Sequence, residues 1–173
     1  VEQQMLADRL HALLSEDSGN RKTGPEAAHR LSRSGRCERE SWYIKFRPSD
    51  MEGIEEKALA RFELGNWGHA AVRESLARAG VEVRDAEMPV RFQVGNTSIE
   101  GHIDGQMNLA GVESLLEIKT SSGYAWRLAA GTISGRTVEV SPEYLDQAHA
   151  YMAALGLTQV VFLYVCVERD KLA

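Results

Sequence analysis

The chain has 173 residues, of which 43% are hydrophobic and 26% charged, with a formal net charge of −5. That length and apolar fraction fit one soluble domain, residues 1–173, with enough material for a single core. No stretch approaches the ~18 consecutive apolar residues of a membrane span and no basic-then-apolar leader opens the chain, which argues against membrane and secreted proteins and for an intracellular one. The sequence starts at Val1 and stops just after a strand-like run at 160–167, so it is read as a piece that can extend past either end.

The first predicted element is a helix, from the spacing of Met5, Leu6, Leu10, Leu13 and Leu14, and it ends in the polar, Gly-punctuated run 15–24. Pro25 sits where a helix can start. Through residues 39–46 the helical period brings Trp42, Tyr43 and Phe46 to one side, and core packing is expected for Trp42 and Tyr43 in preference to base stacking. Residues 1–50 thus form a helical, basic N-terminal segment, and 51–173 the core of the domain. The basic character is local: from Arg21 to Arg47 there are eight Lys/Arg against three Glu, +5, which leaves −10 for the rest. Such asymmetry suits a protein that grips phosphate in one place and metal in another, although on charge alone a solvated Arg-rich helix face is the better reading.

A long helix is predicted over residues 52–79, stopped by Gly80 and interrupted by Gly65 and Gly68. From Val81 the period changes to two. Met88, Val90, Phe92 and Val94 alternate with polar residues up to a Gly95-Asn96 hairpin turn, Ile99, Gly101 and Ile103 continue the alternation, and Gly105 and Gly111 bracket further strand material. Residues 114–120 read as a buried strand carrying Leu115, Leu116 and Ile118. The piece 121–137 is a loop with one short helix at 125–130; Ser141-Pro142-Glu143 starts the next helix, Gly156 stops it, and 158–167 is a strand buried on both faces. The predicted order is α, β, β, β, α, β, an antiparallel meander built into a mixed α/β fold.

Chemistry concentrates in Gly101-His102-Ile103-Asp104-Gly105 and in Glu117-Ile118-Lys119. Strand residues two apart share a face, so Glu117 and Lys119 project together while Ile118 points into apolar packing. Should the preceding strand pair with theirs, Asp104 comes beside Glu117, and two carboxylates can hold a hard cation such as Mg²⁺. Such an ion polarises a phosphate and lowers the pKa of a bound water, with Lys119 placed to orient that water. An ExK strand alone is common and fits an ordinary surface hairpin as well. Gln147 and Tyr151, at i and i+4, share a helical face within the apolar pattern of Leu145, Ala148, Met152 and Leu155. They could meet the metal-site strand or a DNA phosphate, or be peripheral polar groups of a core helix. His102 shares a side with Asp104, His149 lies away from Gln147 and Tyr151, and Glu74 is read as a solvated helix charge.

In combination these motifs resemble the PD-(D/E)XK nuclease superfamily and, within it, the RecB-like exonucleases, including CRISPR-associated and phage-encoded members. The resemblance covers about residues 34–167 and rests on GHID at 101–104, EIK at 117–119, QxxxY at 147–151 and a GxxxH-like helix segment, Gly65-Asn66-Trp67-Gly68-His69. It implies a restriction-endonuclease-like core, a mixed central sheet flanked by helices. It further implies a Mg²⁺ or Mn²⁺ site formed by His69, Asp104, Glu117 and the backbone carbonyl of Ile118, with Lys119 assisting the attacking water. Gln147 and Tyr151 are then expected at the substrate. The segment around Cys37 is similar to the one that supplies the first cysteine in iron-sulfur members. Only Cys166 remains as a partner thiol, so no cluster is expected from this chain, and Arg36 and Arg39 are left to contact the DNA backbone.

The expected activity is hydrolysis of DNA phosphodiester bonds, more often from ends, in recombination and repair or phage DNA processing. The expected setting is the cytoplasm of a bacterium or phage-infected cell, with DNA as partner, no membrane, and a protein partner in a recombination complex. Two alternatives stand beside it: a catalytically silent DNA-binding adaptor of the same fold, and a structure-specific endonuclease.

Overall fold

The computed structural model describes residues 29–33, 36–51, 56–121 and 140–166. The helix expected at Met5 to Leu14, the start at Pro25 and the short helix at 125–130 lie outside them. Among the described residues the chain divides into two compact units, one with residues 37–51 and 56–67, the other with 29–33, 36, 68–121 and 140–166.

In the first unit, helix α1 (Glu38–Phe46) leads into a 3-10 turn, Pro48–Asp50. Trp42 meets Tyr43 edge-on at 5.2 Å between ring centroids and Phe46 at 5.6 Å. This corrects the expectation that Trp42 and Tyr43 pack into a core: α1 buries no residue, and Trp42 and Phe46 remain 48% and 51% exposed. Rings at i, i+1 and i+4 share one side of a helix and cover one another, while Glu38, Arg39, Glu40 and Lys45 make the rest of this short helix polar.

The second unit holds the strands. Of helix α2 (Glu56–Arg78), Gly68–Arg78 belongs to this unit, and the helix ends at the predicted stop, where Val81 N–H donates to Leu76 O at 2.9 Å around Gly80. Strands β2 (Pro89–Val94) and β3 (Thr97–His102) form the predicted hairpin across Gly95-Asn96, with Val94 opposite Thr97. A two-residue strand β1 (His29–Arg30) pairs parallel with β3, and the following Leu31 is fully buried. At Ile103 the chain bends: Ile103 N–H donates to Met88 O and its own carbonyl accepts from Glu87 N–H. Strand β4 (Gly105–Leu109) then pairs antiparallel with β5 (Val112–Ser121), and β5 pairs parallel with β6 (Val160–Cys166). Because of the bend, the strands lie in two mixed three-stranded sheets among the described residues, ordered β1-β3-β2 and β4-β5-β6. A parallel pair needs a long crossover, which here includes helix α3 (Pro142–Leu155), begun at Ser141-Pro142 and stopped at Gly156 as predicted.

The alternation of side chains along β5 sorts them between two cores. Leu115 joins Val160 and Phe162 of β6 against Ala148 and Tyr151 of α3, with Leu31, Val90 and Ile103 completing that cluster. Leu116 and Ile118 join Val161, Leu163 and Val165 against Val72 and Leu76 of α2. β6 therefore feeds both faces, which explains its unbroken apolar run. The result is a mixed α/β, restriction-endonuclease-like architecture, in which Glu117 and Lys119 continue the stripe that Leu115 begins under α3.

Candidate active site

Asp104 occupies the bend just before β4, and the pairing of Gly105 with Leu116 sets it beside Glu117. One of its oxygens, Oδ2, accepts the backbone N–H of Ile118 at 2.6 Å, while Oδ1 lies 3.1 Å from Nδ1 of His69. The anchoring amide fixes the carboxylate's orientation, and the Ile118 side chain holds that amide in place from the apolar core behind it.

Glu117 is 1% exposed. Its Oε2 accepts a hydrogen bond from Lys119 Nζ at 2.7 Å, whereas Oε1 is buried without a partner among the described residues. Burial pushes the Glu117 carboxyl above its ordinary range, opposed first by the Lys119 charge; Asp104 raises it further and His69 lowers it. A buried carboxylate with one oxygen unmatched is costly unless a proton or a cation completes it.

Lys119 is fixed from several directions. Besides Glu117, its Nζ donates to Gln147 Oε1 at 3.2 Å and stands 4.7 Å from the centroid of the Tyr144 ring. Tyr144 went unnoticed in the sequence, although it lies three residues before Gln147 and so on the same helical face. Tyr151, expected at the substrate, is instead buried behind the site: its hydroxyl donates to the His102 carbonyl at 2.9 Å. Burial pushes its pKa up to about 12, against an opposing hydrogen bond with Gln147. Gly101 makes this contact possible, because a Cβ there would collide with the Tyr151 hydroxyl and lie 3.0 Å from Leu31 Cβ. The glycine of the GHID segment is thus required by packing.

His69 comes from α2. Preceding it, Gly68 allows close approach to β5, where a Cβ would fall 2.6 Å from Thr120 Cγ2. His69, Asp104 and Glu87 each offer a ligand atom, and these atoms all lie within 4.8 Å of one another. Glu87 had no signal in the periodicity: it sits in the turn between α2 and β2, and its Oε1 accepts from Arg73 NH1 at 2.9 Å. Glu74 pairs with Arg78 on the exposed side of α2, as a solvated helix charge would. His102 and His149 expose their side chains. Arg36 is 3.5 Å from Glu143, both about half exposed, and the Arg39 guanidinium lies 5.7 Å from the Tyr43 ring centroid.

The structure brings His69, Asp104, Glu117, Lys119 and Gln147 together, and it is the amide of Ile118 that binds Asp104. The donor set suits a hard divalent cation. The 3.1 Å between His69 Nδ1 and Asp104 Oδ1 is an ordinary ion-pair or hydrogen-bond distance that is also compatible with two ligands of one hard cation, and Glu117 Oε1 is a buried acceptor with no partner among the described residues. Among the described residues no helix is long and apolar enough to cross a membrane.

No protein-family profile and no curated protein matches the sequence. The fold is similar to that in the crystal structure of SSO0001, at 21% identity and a TM-score of 0.59, over all of this chain and 77% of that one. It is also similar to the crystal structure of an alkaline exonuclease (LHK-Exo) from Laribacter hongkongensis, at 20% identity and a TM-score of 0.51, over 84% of this chain and 71% of that one. At these identities the likeness is one of fold.

Proposed function

We propose that the chain is a divalent-metal-dependent deoxyribonuclease of the PD-(D/E)XK type, RecB-like in its motifs, that degrades DNA from its ends. The observation that carries this reading is the Glu117 carboxylate: buried, bonded through one oxygen to Lys119, and unmatched on the other beside Asp104 and His69. The similarity of fold to a protein described as an alkaline exonuclease supports the reaction class by analogy.

In this reading His69, Asp104, Glu117 and the carbonyl of Ile118 hold Mg²⁺ or Mn²⁺. The ion, when bound, supplies Lewis-acid polarisation of the scissile phosphate and a bound water of lowered pKa. Asp104 presents Oδ1 to it because the Ile118 amide holds Oδ2. Lys119, kept in place by Glu117, Gln147 and Tyr144, orients the attacking water and offsets charge that develops on the phosphoryl oxygens. In-line displacement leaves a 5′ phosphate. Gln147 and Tyr151 serve as supports in this scheme, the first for Lys119 and the second for the carbonyl of His102. Arg36 and Arg39 supply backbone contacts to DNA; the exposed Arg36–Glu143 pair is weak enough to exchange for phosphate. The biological setting proposed is DNA recombination and repair or phage DNA processing.

The test is digestion of end-labelled linear DNA and closed circular DNA with Mn²⁺. Degradation of the linear substrate alone is expected. Cutting of the circle would convert the reading to an endonuclease, and cleavage of neither to a DNA-binding module.

A further inference from the structure

We propose that Glu87 is a further ligand of the same cation, and that Arg73 is the positioning residue that holds it there; the inference rests on the metal-site reading above. Three observations lead to it. The ligand atoms of Glu87, His69 and Asp104 fall within 4.8 Å of one another although the residues come from a turn, a helix and a strand bend. The Glu117 carboxyl, set beside Asp104 by the pairing of Gly105 with Leu116, is 1% exposed and keeps a buried Oε1 that has no partner among the described residues. Finally, Arg73 NH1 engages only Oε1 of Glu87, at 2.9 Å, which leaves the second oxygen available.

Arg73 follows His69 by one helical turn, so both project from the same face of α2. The helix thereby contributes a ligand directly and fixes another through an ion pair. Arg73 is 22% exposed in its side chain and Glu87 57%. This is the open side of the site, where an exposed ion pair alone gives little stability. The turn itself is held in an unusual conformation. Asp85 and Glu87 have φ of 53° and 57° without being glycine, a backbone state in which Asn or Gly is the easier residue. Gln106 Nε2 donates to Asp85 Oδ2 at 3.0 Å, and Glu87 N–H donates to Ile103 O at 3.0 Å, so the turn is tied to the bend that carries Asp104. A third carboxylate shifts the donor set toward the hard ions, Mg²⁺ and Mn²⁺, and away from Zn²⁺, which the imidazole favours.

The experiment is calorimetric titration of the full chain with Mn²⁺ and with Zn²⁺, free of DNA, for the wild type and for Glu87→Gln, Glu87→Asn, Arg73→Gln, Arg73→Lys and Asp104→Asn. Glu87→Gln should weaken Mn²⁺ binding about tenfold and Zn²⁺ binding much less, at an unchanged thermal midpoint. Arg73→Gln should weaken Mn²⁺ about threefold and Arg73→Lys should recover most of it, as expected for a partner that acts by charge and reach. Glu87→Asn, which suits the backbone better, should lose Mn²⁺ affinity without losing stability, and it covers the case in which the glutamine variant folds poorly. Wild-type Mn²⁺ affinity in Glu87→Gln and Glu87→Asn, with Asp104→Asn defective, overturns the assignment of Glu87 and leaves the site standing. Equal weakening of Mn²⁺ and Zn²⁺ in both Glu87 variants reduces the residue to a general electrostatic contribution and also overturns it. Wild-type affinity in Asp104→Asn removes the metal site, and this inference with it.

Discussion

The two sides of the site are built differently. Under α3, Glu117, Lys119, Gln147 and Tyr144 form a mostly enclosed set, with Lys119 14% exposed in its side chain and Glu117 1%. Toward the bend, His69, Asp104, Glu87 and Arg73 come from three separate elements, and the Glu87 side chain is 57% exposed. On the enclosed side, strand period and helix period do the positioning: i and i+2 on β5, i, i+3 and i+7 on α3. On the open side nothing periodic brings the groups together; a chain bend and a turn with two positive-φ residues do. The enclosed half therefore has its charges mutually held before any ligand arrives, and the open half is where an ion can enter.

The largest expected effect comes from breaking the enclosed half. Lys119→Ala removes the group proposed to orient the water, and loss of one such preorganised group costs about 10²–10³-fold in rate. It also leaves Glu117 buried without its partner ammonium, so a loss of roughly 3–5 kcal/mol in metal-free stability should accompany the loss of cleavage. DNA binding, measured by fluorescence anisotropy, should remain near wild type. Adding Glu117→Gln to Lys119→Ala should recover much of the stability and none of the cleavage, which separates the structural from the chemical role of the pair. Wild-type cleavage by Lys119→Ala would remove the proposed mechanism.

Next comes Gly101→Ala. The added methyl collides with the Tyr151 hydroxyl and presses on Leu31, both fully buried. Overpacking of about 1–3 kcal/mol and loss of the hydrogen bond to His102 follow, read as a lowered urea midpoint. Tyr151→Phe in the same chain should recover part of it, since the atom struck is then absent.

Much of this was legible in the sequence, and the reasons are local. Asp104, Glu117 and Lys119 were placed by alternation and a short strand connection, and the stops at Gly80 and Gly156 and the Gly95-Asn96 turn by backbone chemistry. His69 came only through family resemblance, since its spacing to the strand motifs encodes nothing. Glu87 was invisible because Asp85-Ala86-Glu87 carries no turn signature of the kind a glycine or asparagine would give at those φ angles. Trp42 and Tyr43 misled because a cluster of rings reads as core, whereas here the rings cover each other. Tyr151 misled in the opposite sense: a hydroxyl beside a catalytic helix face suggests substrate, but the small Gly101 opposite lets it reach inward.

That inward hydrogen bond gives a pH dependence. The folded Tyr151 hydroxyl loses its proton at about 12, above its ordinary 10.0, because burial disfavours phenolate. The folded state then binds the proton more tightly than the unfolded one. Its contribution to stability is present in full below the unfolded pKa and is lost as pH rises through the folded value. Tyr151→Phe should be less stable than wild type by about 1 kcal/mol near neutrality, and between the two pKa values wild type should lose roughly 2–3 kcal/mol that the variant does not, closing the gap and reversing its sign. Urea midpoints measured for both chains across that window decide it, and a constant gap would mean that the phenol is not buried as described.

The smallest effect should come from Tyr144, which sharpens the contrast by asking how tightly the enclosed half must hold Lys119. Its ring offers a π face 4.7 Å from Nζ, an attraction worth about 0.5–1 kcal/mol where solvent is partly present. Phenylalanine keeps the face and leucine keeps only the bulk. Tyr144→Phe should therefore cleave DNA at the wild-type rate, while Tyr144→Leu should lower kcat by about two- to fivefold with KM and Mn²⁺ affinity unchanged. That split follows from the geometry, since Tyr144 touches Lys119 and neither His69 nor Asp104, so that loosening it moves the water-orienting ammonium and leaves the ion's ligands alone. A rise in KM instead would place Tyr144 at the DNA, and an equal loss in both variants would assign the role to its hydroxyl, which lies close enough to Tyr164 to help hold that phenol's pKa above its ordinary value, behind burial as the larger cause.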